Sequence, residues 1–277
     1  MAMKLLMLVT FFAIMVSVGI YARKHATSVD GYVLGGRSVG PWLTAFAYGT
    51  SYFSAVVFVG YAGQFGWKYG LASTWIGIGN AIIGSLLAWV VLGRRTKVMT
   101  QHLNSKTMPD FFGERYGSKA LKITASAIVF IFLVPYTASV YNGLSRLFGM
   151  AFNIPYKYCV IGMAVFTGIY VILGGYMATA INDFIQGIIM LGGIVAVILA
   201  VLNGQGGFIQ AIKTMAEIPS DVPVTMGQPG AFTSFFGPDP LNLLGVVILT
   251  SLGTWGLPQM VGKFYAIKDE KSINTER

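Results

Sequence analysis

Seven long apolar runs occupy most of this chain, and they limit its possible folds more than any other feature of the sequence. Each run is close to the ~20 residues that an α-helix needs to cross a bilayer core of about 30 Å. Hydrocarbon offers no partner to a free backbone amide, so runs of this length are expected to be helical. The sequence lacks the alternating segments of roughly ten residues that a membrane barrel needs. We predict transmembrane helices at residues 5–22, 42–65, 71–93, 120–149, 158–176, 184–202 and 241–261.

The composition agrees with a single transmembrane domain over residues 1–277. Hydrophobic residues make up 55% of the chain and charged residues 10%, which leaves too little polar sequence for a sizeable water-soluble domain. A formal net charge of +9 could indicate a nucleic-acid-binding protein. Most Lys and Arg residues, however, fall in the loops that the predicted spans place on one side of the membrane. The positive-inside rule places that side in the cytoplasm. We therefore predict a multi-pass cell membrane protein with an external N-terminus and no nucleic acid partner.

Two of the predicted spans contain residues that interrupt helices. The second span has a hydroxyl-rich segment at residues 48–54, and the seventh contains Gly253, Gly256 and Pro258. Glycine removes the steric bias towards helix, and proline removes an amide donor, so carbonyls one turn back lose their partners. Transporters use such breaks to offer carbonyls to sodium and helix ends to a solute. An alternative stays open, in which the hydroxyls bond to their own helices and Pro258 makes a passive kink.

Several motifs, in order and correctly spaced, resemble the sodium:solute symporter family. Residues 30–41 (DGYVLGGRSVGP) resemble the family's entry to its second helix. Residues 173–178 (LGGYMA) and 182–186 (NDFIQ) resemble the signature between its fifth and sixth helices. Further similarity lies at residues 108–115, 136–139 and 146–148. The pattern is closer to the proline and pantothenate carriers than to the sugar carriers.

The resemblance implies an all-α integral membrane fold with part of a LeuT-type inverted repeat. Family members have a leading helix followed by two inverted five-helix repeats. By that pattern the leading helix is residues 5–22, the first repeat is about 42–202, and the first helix of the second repeat is 241–262. The Pro-rich connector 203–240 is expected to be an external loop with one short helix near 209–216. The chain is thus expected to be an N-terminal half.

The resemblance also implies a sodium site at the break in the second span. The ligands here would be the backbone carbonyls of Thr50 and Phe53, with further ligands from a helix beyond Arg277. Asp183 is the one acidic residue that we place within or at the edge of a span, where a charge costs roughly 2.5 to 3.5 kcal/mol. Its family counterpart lies on the sodium path. The alternative for Asp183 is a carboxylate that caps the start of the sixth span.

The substrate-binding residues implied by the resemblance lie on the second, fourth and seventh spans. They are Ser54, Val57, Tyr136, Thr254, Trp255 and Pro258. Val57 and Thr74 stand where sugar carriers place polar side chains, so an amino acid or a carboxylate is favoured over a sugar. Tyr52 stands where the proline carriers have an Asp, and this departure leaves the solute open.

Other chemistry is poorly represented in the sequence. His25 and His102 lie in separate loops without a second metal ligand at a suitable spacing, and no phosphate-binding glycine loop is present. No paired carboxylates lie in the spans, so we predict no enzyme activity and no cofactor apart from sodium as coupling ion. The main hypothesis is sodium-coupled import of a small organic solute across the bilayer by alternating access. A transporter-like sensor module is the alternative, and a membrane-embedded enzyme ranks last.

Overall fold

The computed structural model describes residues 2–53, 61–269 and 273. Helices account for 85% of it, and no strand occurs in this part of the chain. The predicted all-helical membrane fold is therefore confirmed. The α-helices are α1 (Ala2–Ala22), α2 (Val29–Leu34), α3 (Pro41–Tyr52), α4 (Ala62–Tyr69), α5 (Thr74–Gly79), α6 (Arg94–His102), α7 (Met108–Tyr116), α8 (Lys119–Phe152), α9 (Tyr156–Gly204), α10 (Phe208–Glu217), α11 (Pro240–Gly253) and α12 (Pro258–Ala266).

Four helices among the described residues are long and apolar enough to cross a membrane. They are Met3–His25, Ala62–His102, Lys119–Phe152 and Tyr156–Gly204, and a bent pair formed by Pro240–Gly256 and Pro258–Ala266 could make a fifth. The seven spans stay a prediction, because the helices of the structure do not begin and end where the predicted spans do. Residues 158–176 and 184–202 lie in one helix, α9, and the second predicted span is divided between α3 and α4.

The chain divides into two compact units. Unit 1 comprises Met1–Val56, Trp89–Gly187 and Leu257–Arg277, and unit 2 comprises Val57–Ala88 and Ile188–Gly256. The larger core of unit 1 contains aromatic and aliphatic side chains of α3 and α12, among them Tyr48, Tyr52, Met260 and Phe264. A second core of unit 1 is made of small side chains from α1, α3, α9 and α12. Small residues allow helix axes to approach closely, as in other membrane proteins.

Two glycines of the LGGYMA motif explain how α9 meets α1 and α2 in unit 1. Gly175 has φ 55° and ψ −144°, a conformation open to glycine that interrupts the helix. A Cβ on Gly175 would lie 2.6 Å from the carbonyl oxygen of Tyr32, and one on Gly174 would lie 2.8 Å from that of Gly19. The motif therefore permits close backbone contact as well as the break in α9.

The motif at residues 108–115 forms a helix that docks on α8 within unit 1. The Thr107 hydroxyl caps α7 by accepting from the Asp110 N–H at 3.3 Å, and the Asp110 carboxylate accepts from the Lys106 N–H at 3.0 Å. The bond of the Asp110 carboxylate goes to the residue before the N-cap, so the two bonds form a variant of the capping box. The Lys122 ammonium of α8 also contacts the Asp110 carboxylate. A Cβ on Gly113 would lie 2.7 Å from Lys122 Cβ, so glycine lets α7 lie directly against α8.

Two cationic side chains hold the C-terminal end of α12 in unit 1. Lys97 is fully buried, and its ammonium donates to the carbonyls of Tyr265, at 3.2 Å, and Ile267. The Arg37 guanidinium donates to the Tyr265 carbonyl at 3.4 Å and to the Ser105 carbonyl at 2.6 Å. The last carbonyls of a helix have no partner within it and carry partial negative charge, so these cations satisfy and stabilise that end.

Unit 2 is built on the packing of α11 against α5 and the π-helical segment Asn80–Leu87. Asn80 is buried, and its side-chain oxygen accepts from the hydroxyls of Thr250 and Ser251, both at 3.0 Å. The connector before α11 contains the helix Phe208–Glu217, in agreement with the short helix expected near 209–216.

Candidate functional site

Both helices predicted to be interrupted do end or change course in the structure. In α3 the helix stops at Tyr52, and Phe53 takes φ −88° and ψ 59° while its N–H still donates to the Gly49 carbonyl at 2.8 Å. In the seventh predicted span, α11 ends at Gly253, the 3-10 turn Thr254–Gly256 follows, and Leu257 is extended before α12 begins at Pro258. The first helix of the second repeat, expected at 241–262, is thus two helices, and it continues to Ala266.

The two helices that adjoin these breaks, α3 and α12, pack against each other in unit 1. The Lys268 N–H, just after α12, donates to the Val39 carbonyl, just before α3, at 3.0 Å. Further along both helices, the rings of Tyr48 and Phe264 are 6.0 Å apart. The two helices are therefore antiparallel neighbours. Phe53 and Leu257, one at each break, pack against the same core cluster.

Because the two helices are antiparallel, the C-terminal end of α3 and the N-terminal end of α12 point to the same side of unit 1. The C-terminal end of α3 carries the negative end of its helix dipole. The first amides of α12 carry the positive end of its dipole. A cation is favoured at the first end and an anionic group at the second.

The predicted sodium residues lie on two helices in contact. Thr50 is in the last turn of α3, and its hydroxyl donates to the Phe46 carbonyl of the same helix at 2.8 Å. A Cβ on Gly187 of α9 would lie 3.1 Å from Thr50 Cγ2 and 2.6 Å from a ring carbon of Phe46. Asp183 is one turn before Gly187 on the same helix. The structure thus brings the helix of Asp183 against the helix of Thr50 and Phe53.

The alternative role for Asp183, a helix cap, is wrong. Asp183 lies eight residues after the break at Gly175, inside continuous helix, where the amides are already paired. Its carboxylate instead faces Lys263 of α12, with Nζ and Oδ2 3.4 Å apart. The same ammonium lies 5.1 Å from the centre of the Tyr176 ring. Only 6% of Lys263 is exposed.

Lys263 is the residue that the sequence analysis missed. We placed the seventh span's end at residue 261 and counted Lys263 with the loop cations, whereas the structure buries it in α12. A signal was present, because Phe264, Tyr265 and Ala266 continue the apolar run beyond the lysine. An intramembrane Asp183 also calls for a cationic partner.

The predicted substrate residues are divided among the parts of the structure. Ser54 and Val57 lie outside the described residues. In unit 1, Pro258 is the first residue of α12, and Tyr136 is half-buried on α8 next to Pro135. In unit 2, the Thr254 hydroxyl donates to the Ser251 carbonyl at 2.9 Å, and the Trp255 indole N–H donates to the Ile83 carbonyl at 3.0 Å. The indole N–H of Trp255 is thus used within unit 2.

Comparisons with known proteins agree with the resemblance in the sequence. The family model of the sodium:solute symporter family matches residues 32–277. Sodium/proline symporters of Staphylococcus aureus strains JH9 and NCTC 8325 / PS 47 are 34% identical over 283 residues, which cover 98% of this chain and 51% of each relative. The chain therefore spans about half the length of the curated relatives that it matches.

The fold has a counterpart among solved structures. The substrate-bound, outward-open structure of a Na⁺-coupled sialic acid symporter aligns with a TM-score of 0.58 and 17% identity. The alignment covers 95% of this chain and 61% of that one. At this level of identity the match establishes similarity of fold.

Proposed function

The chain belongs to the sodium:solute symporter family, and from this premise we propose that it takes part in sodium-coupled import of a small organic solute. The observation that carries the proposal is that Phe53 and Leu257, one at each break, pack against the same core cluster of unit 1. Secondary transporters build their ion and solute sites from such discontinuous helices. The protein is a multi-pass membrane protein, and we propose the cell membrane with an external N-terminus.

The proposed sodium ligands are the backbone carbonyls of Thr50 and Phe53 and the carboxylate of Asp183. Two features support this set. The last turn of α3 carries the negative end of the helix dipole, where a cation is favoured. Asp183 adds a negative charge on a helix that contacts Thr50 through Gly187. The remaining oxygens that sodium needs would come from outside the described residues, in line with the family pattern.

The proposed solute is an amino acid or a carboxylate. The N-terminal end of α12 at Pro258 favours an anionic group, and the Trp255 ring face suits an apolar portion of the solute. The relatives named as sodium/proline and sialic acid symporters carry solutes of acidic or amino-acid chemistry. Ser54, Val57, Tyr136 and Thr254 complete the proposed set.

Uptake measurements test the coupling directly. Cells that express the protein from its own gene would be supplied with labelled amino acids and carboxylates in sodium medium and in choline medium. We expect uptake in sodium and loss of most of it in choline, because the sodium gradient drives import. A thermal-shift screen of the same compounds, with and without sodium, identifies the solute, since a bound ligand stabilises the folded protein. Uptake that is equal in the two media contradicts the proposal.

A further inference from the structure

The buried ion pair between Lys263 and Asp183 is not explained by a contribution to the stability of the fold. Lys263 is buried, its ammonium is 3.4 Å from Asp183 Oδ2, and the Asp183 side chain keeps 24% of its surface exposed. Removing two charges from water costs more than a single contact of this kind regains, so a buried pair is weak evidence for stabilisation. Such pairs are better attested as switches or as determinants of register.

A second buried lysine in unit 1, Lys97, has contacts of a different kind from those of Lys263. Lys97 has 0% exposure and binds two backbone carbonyls at the end of α12, which is the arrangement of a helix cap. Lys263 binds no carbonyl among the described residues and contacts a carboxylate at one distance of 3.4 Å. Lysine is a compact point charge on a flexible chain, so this contact can be exchanged for another cation.

We propose that Lys263 is an internal competitor of sodium. Its ammonium neutralises Asp183 while the ion site is empty, and sodium takes its place at the carboxylate. One monovalent cation replaces another as the direct partner of the carboxylate, and the displaced ammonium stays on α12. The inference rests on the proposed sodium role of Asp183 and deepens it.

The exchange acts on α12, because Lys263 is in the middle of that helix. The C-terminal end of α12 is held by Lys97 and Arg37 and by the bond between Lys268 and Val39. Its N-terminal end adjoins the break at Leu257. When sodium displaces the ammonium, α12 loses its charged tie to α9 and keeps its tie at the C-terminal end. Ion binding therefore changes the helix that carries the proposed solute end, which is a physical basis for coupling.

The competition has a quantitative consequence. The lysine occupies the site for most of the time. The apparent affinity for sodium is then the intrinsic affinity multiplied by the fraction of time that the site is free. Lys263→Met removes the competitor and leaves the apolar volume. We expect the sodium concentration for half-maximal uptake to fall by about tenfold. Lys263→Arg keeps a cation and should stay near the wild-type value, and in the Asp183→Asn background Lys263→Met should have no further effect.

A matched control is Lys122→Met, which removes the ammonium of a different ion pair in unit 1, the one with Asp110. It should lower thermal stability and leave the sodium dependence of the folded protein unchanged. If wild-type uptake depends on sodium but Lys263→Met leaves the half-maximal sodium concentration unchanged or raises it, the inference is overturned and the proposed function stands. If wild-type uptake is independent of sodium, the proposed function itself has failed.

A second measurement needs no variant. Purified wild-type protein would be treated with an amine-acylating reagent in sodium or choline buffer, and the peptides containing Lys263 and Lys97 quantified by mass spectrometry. We expect sodium to increase acylation of Lys263 and to leave that of Lys97 unchanged. Equal or lower acylation of Lys263 in sodium contradicts the exchange, even if Lys263→Met does not fold.

Discussion

At the scale of single residues, the side-chain hydroxyls near the two breaks must be considered separately from the backbone carbonyls. The hydroxyls of Thr50 and Thr254 bond to carbonyls of their own helical segments, as the alternative interpretation of the sequence expected. That result does not remove the breaks, because the backbone at Phe53 and Leu257 leaves helical geometry regardless. The ligand that we propose at Thr50 is its backbone carbonyl rather than the hydroxyl oxygen.

This distinction gives a prediction for Thr50→Val. The valine removes the hydroxyl and keeps the backbone carbonyl, so the half-maximal sodium concentration for uptake should change by less than about twofold, or roughly 0.4 kcal/mol. Thr179→Val is a matched control, since the Thr179 hydroxyl donates to the Tyr176 carbonyl of its own helix at 2.8 Å. A tenfold loss of sodium affinity in Thr50→Val alone would assign the hydroxyl to the ion.

The family resemblance led to Thr50 and Phe53, and a charge within an apolar run drew attention to Asp183. Neither observation led to the pairing of Asp183 with Lys263. The two residues are 80 positions apart, and their meeting depends on how α9 and α12 pack. A cation near the end of an apolar run also has the pattern of a loop residue until its burial is known.

At the scale of helices, glycine decides where elements change direction. The analysis of the sequence placed a connector between residues 176 and 184, whereas the structure turns at Gly175 alone and resumes helix at once. One residue with positive φ is enough for the turn, and no polar loop is then needed. Hydropathy cannot locate such a break because Gly174 and Gly175 are as apolar as their neighbours.

The α7 capping box gives a prediction at this scale. Burial on its own raises the pKa of the Asp110 carboxyl, but bonds from the Lys122 ammonium and the Lys106 N–H outweigh it and hold that pKa below its ordinary value. A lowered pKa in the folded state means stability that is complete above the unfolded pKa of about 3.9 and is lost as pH falls through the folded pKa.

We therefore expect Asp110→Asn to lower the stability of the purified protein by about 1 kcal/mol at pH 7. The difference between variant and wild type should shrink as the pH is lowered below about 4, since the wild-type carboxylate is then protonated. Thermal unfolding at pH 7 and at low pH measures it. Glu114→Gln, at an exposed position of the same helix, is the control, and an equal loss in both variants would refute the capping role.

At the scale of the whole molecule, the class of protein was accessible from the sequence and the packing was not. Apolar runs of bilayer length predicted a helical membrane protein, and ordered motifs predicted the family that the comparisons confirm. The division into two units depends on contacts between segments distant in sequence, such as 57–88 with 188–256. The hydropathy and motifs of a short segment do not indicate which distant segment it will contact.

The proposed orientation gives a prediction for the complete fold. In a Cys159→Ala background, single cysteines would replace Gln228, in the connector before α11, and Gln101, near the end of α6. A membrane-impermeant maleimide should label Gln228→Cys in intact cells and Gln101→Cys only after permeabilisation, because the basic loops are expected inside. The opposite pattern would reverse the orientation, and labelling of both in intact cells would rule out one fixed topology.

The cations at the end of α12 have a mechanical consequence. With Lys97 and Arg37 clamping the carbonyls around Tyr265, this helix resembles a lever whose fulcrum lies at one extremity. Along the helix axis Tyr265 is about 3 Å from Lys263 and about 10 Å from Pro258, at 1.5 Å per residue. A small rotation of α12 that starts at the Lys263 ammonium therefore gives a larger displacement at Pro258, where we propose that the solute binds and is released.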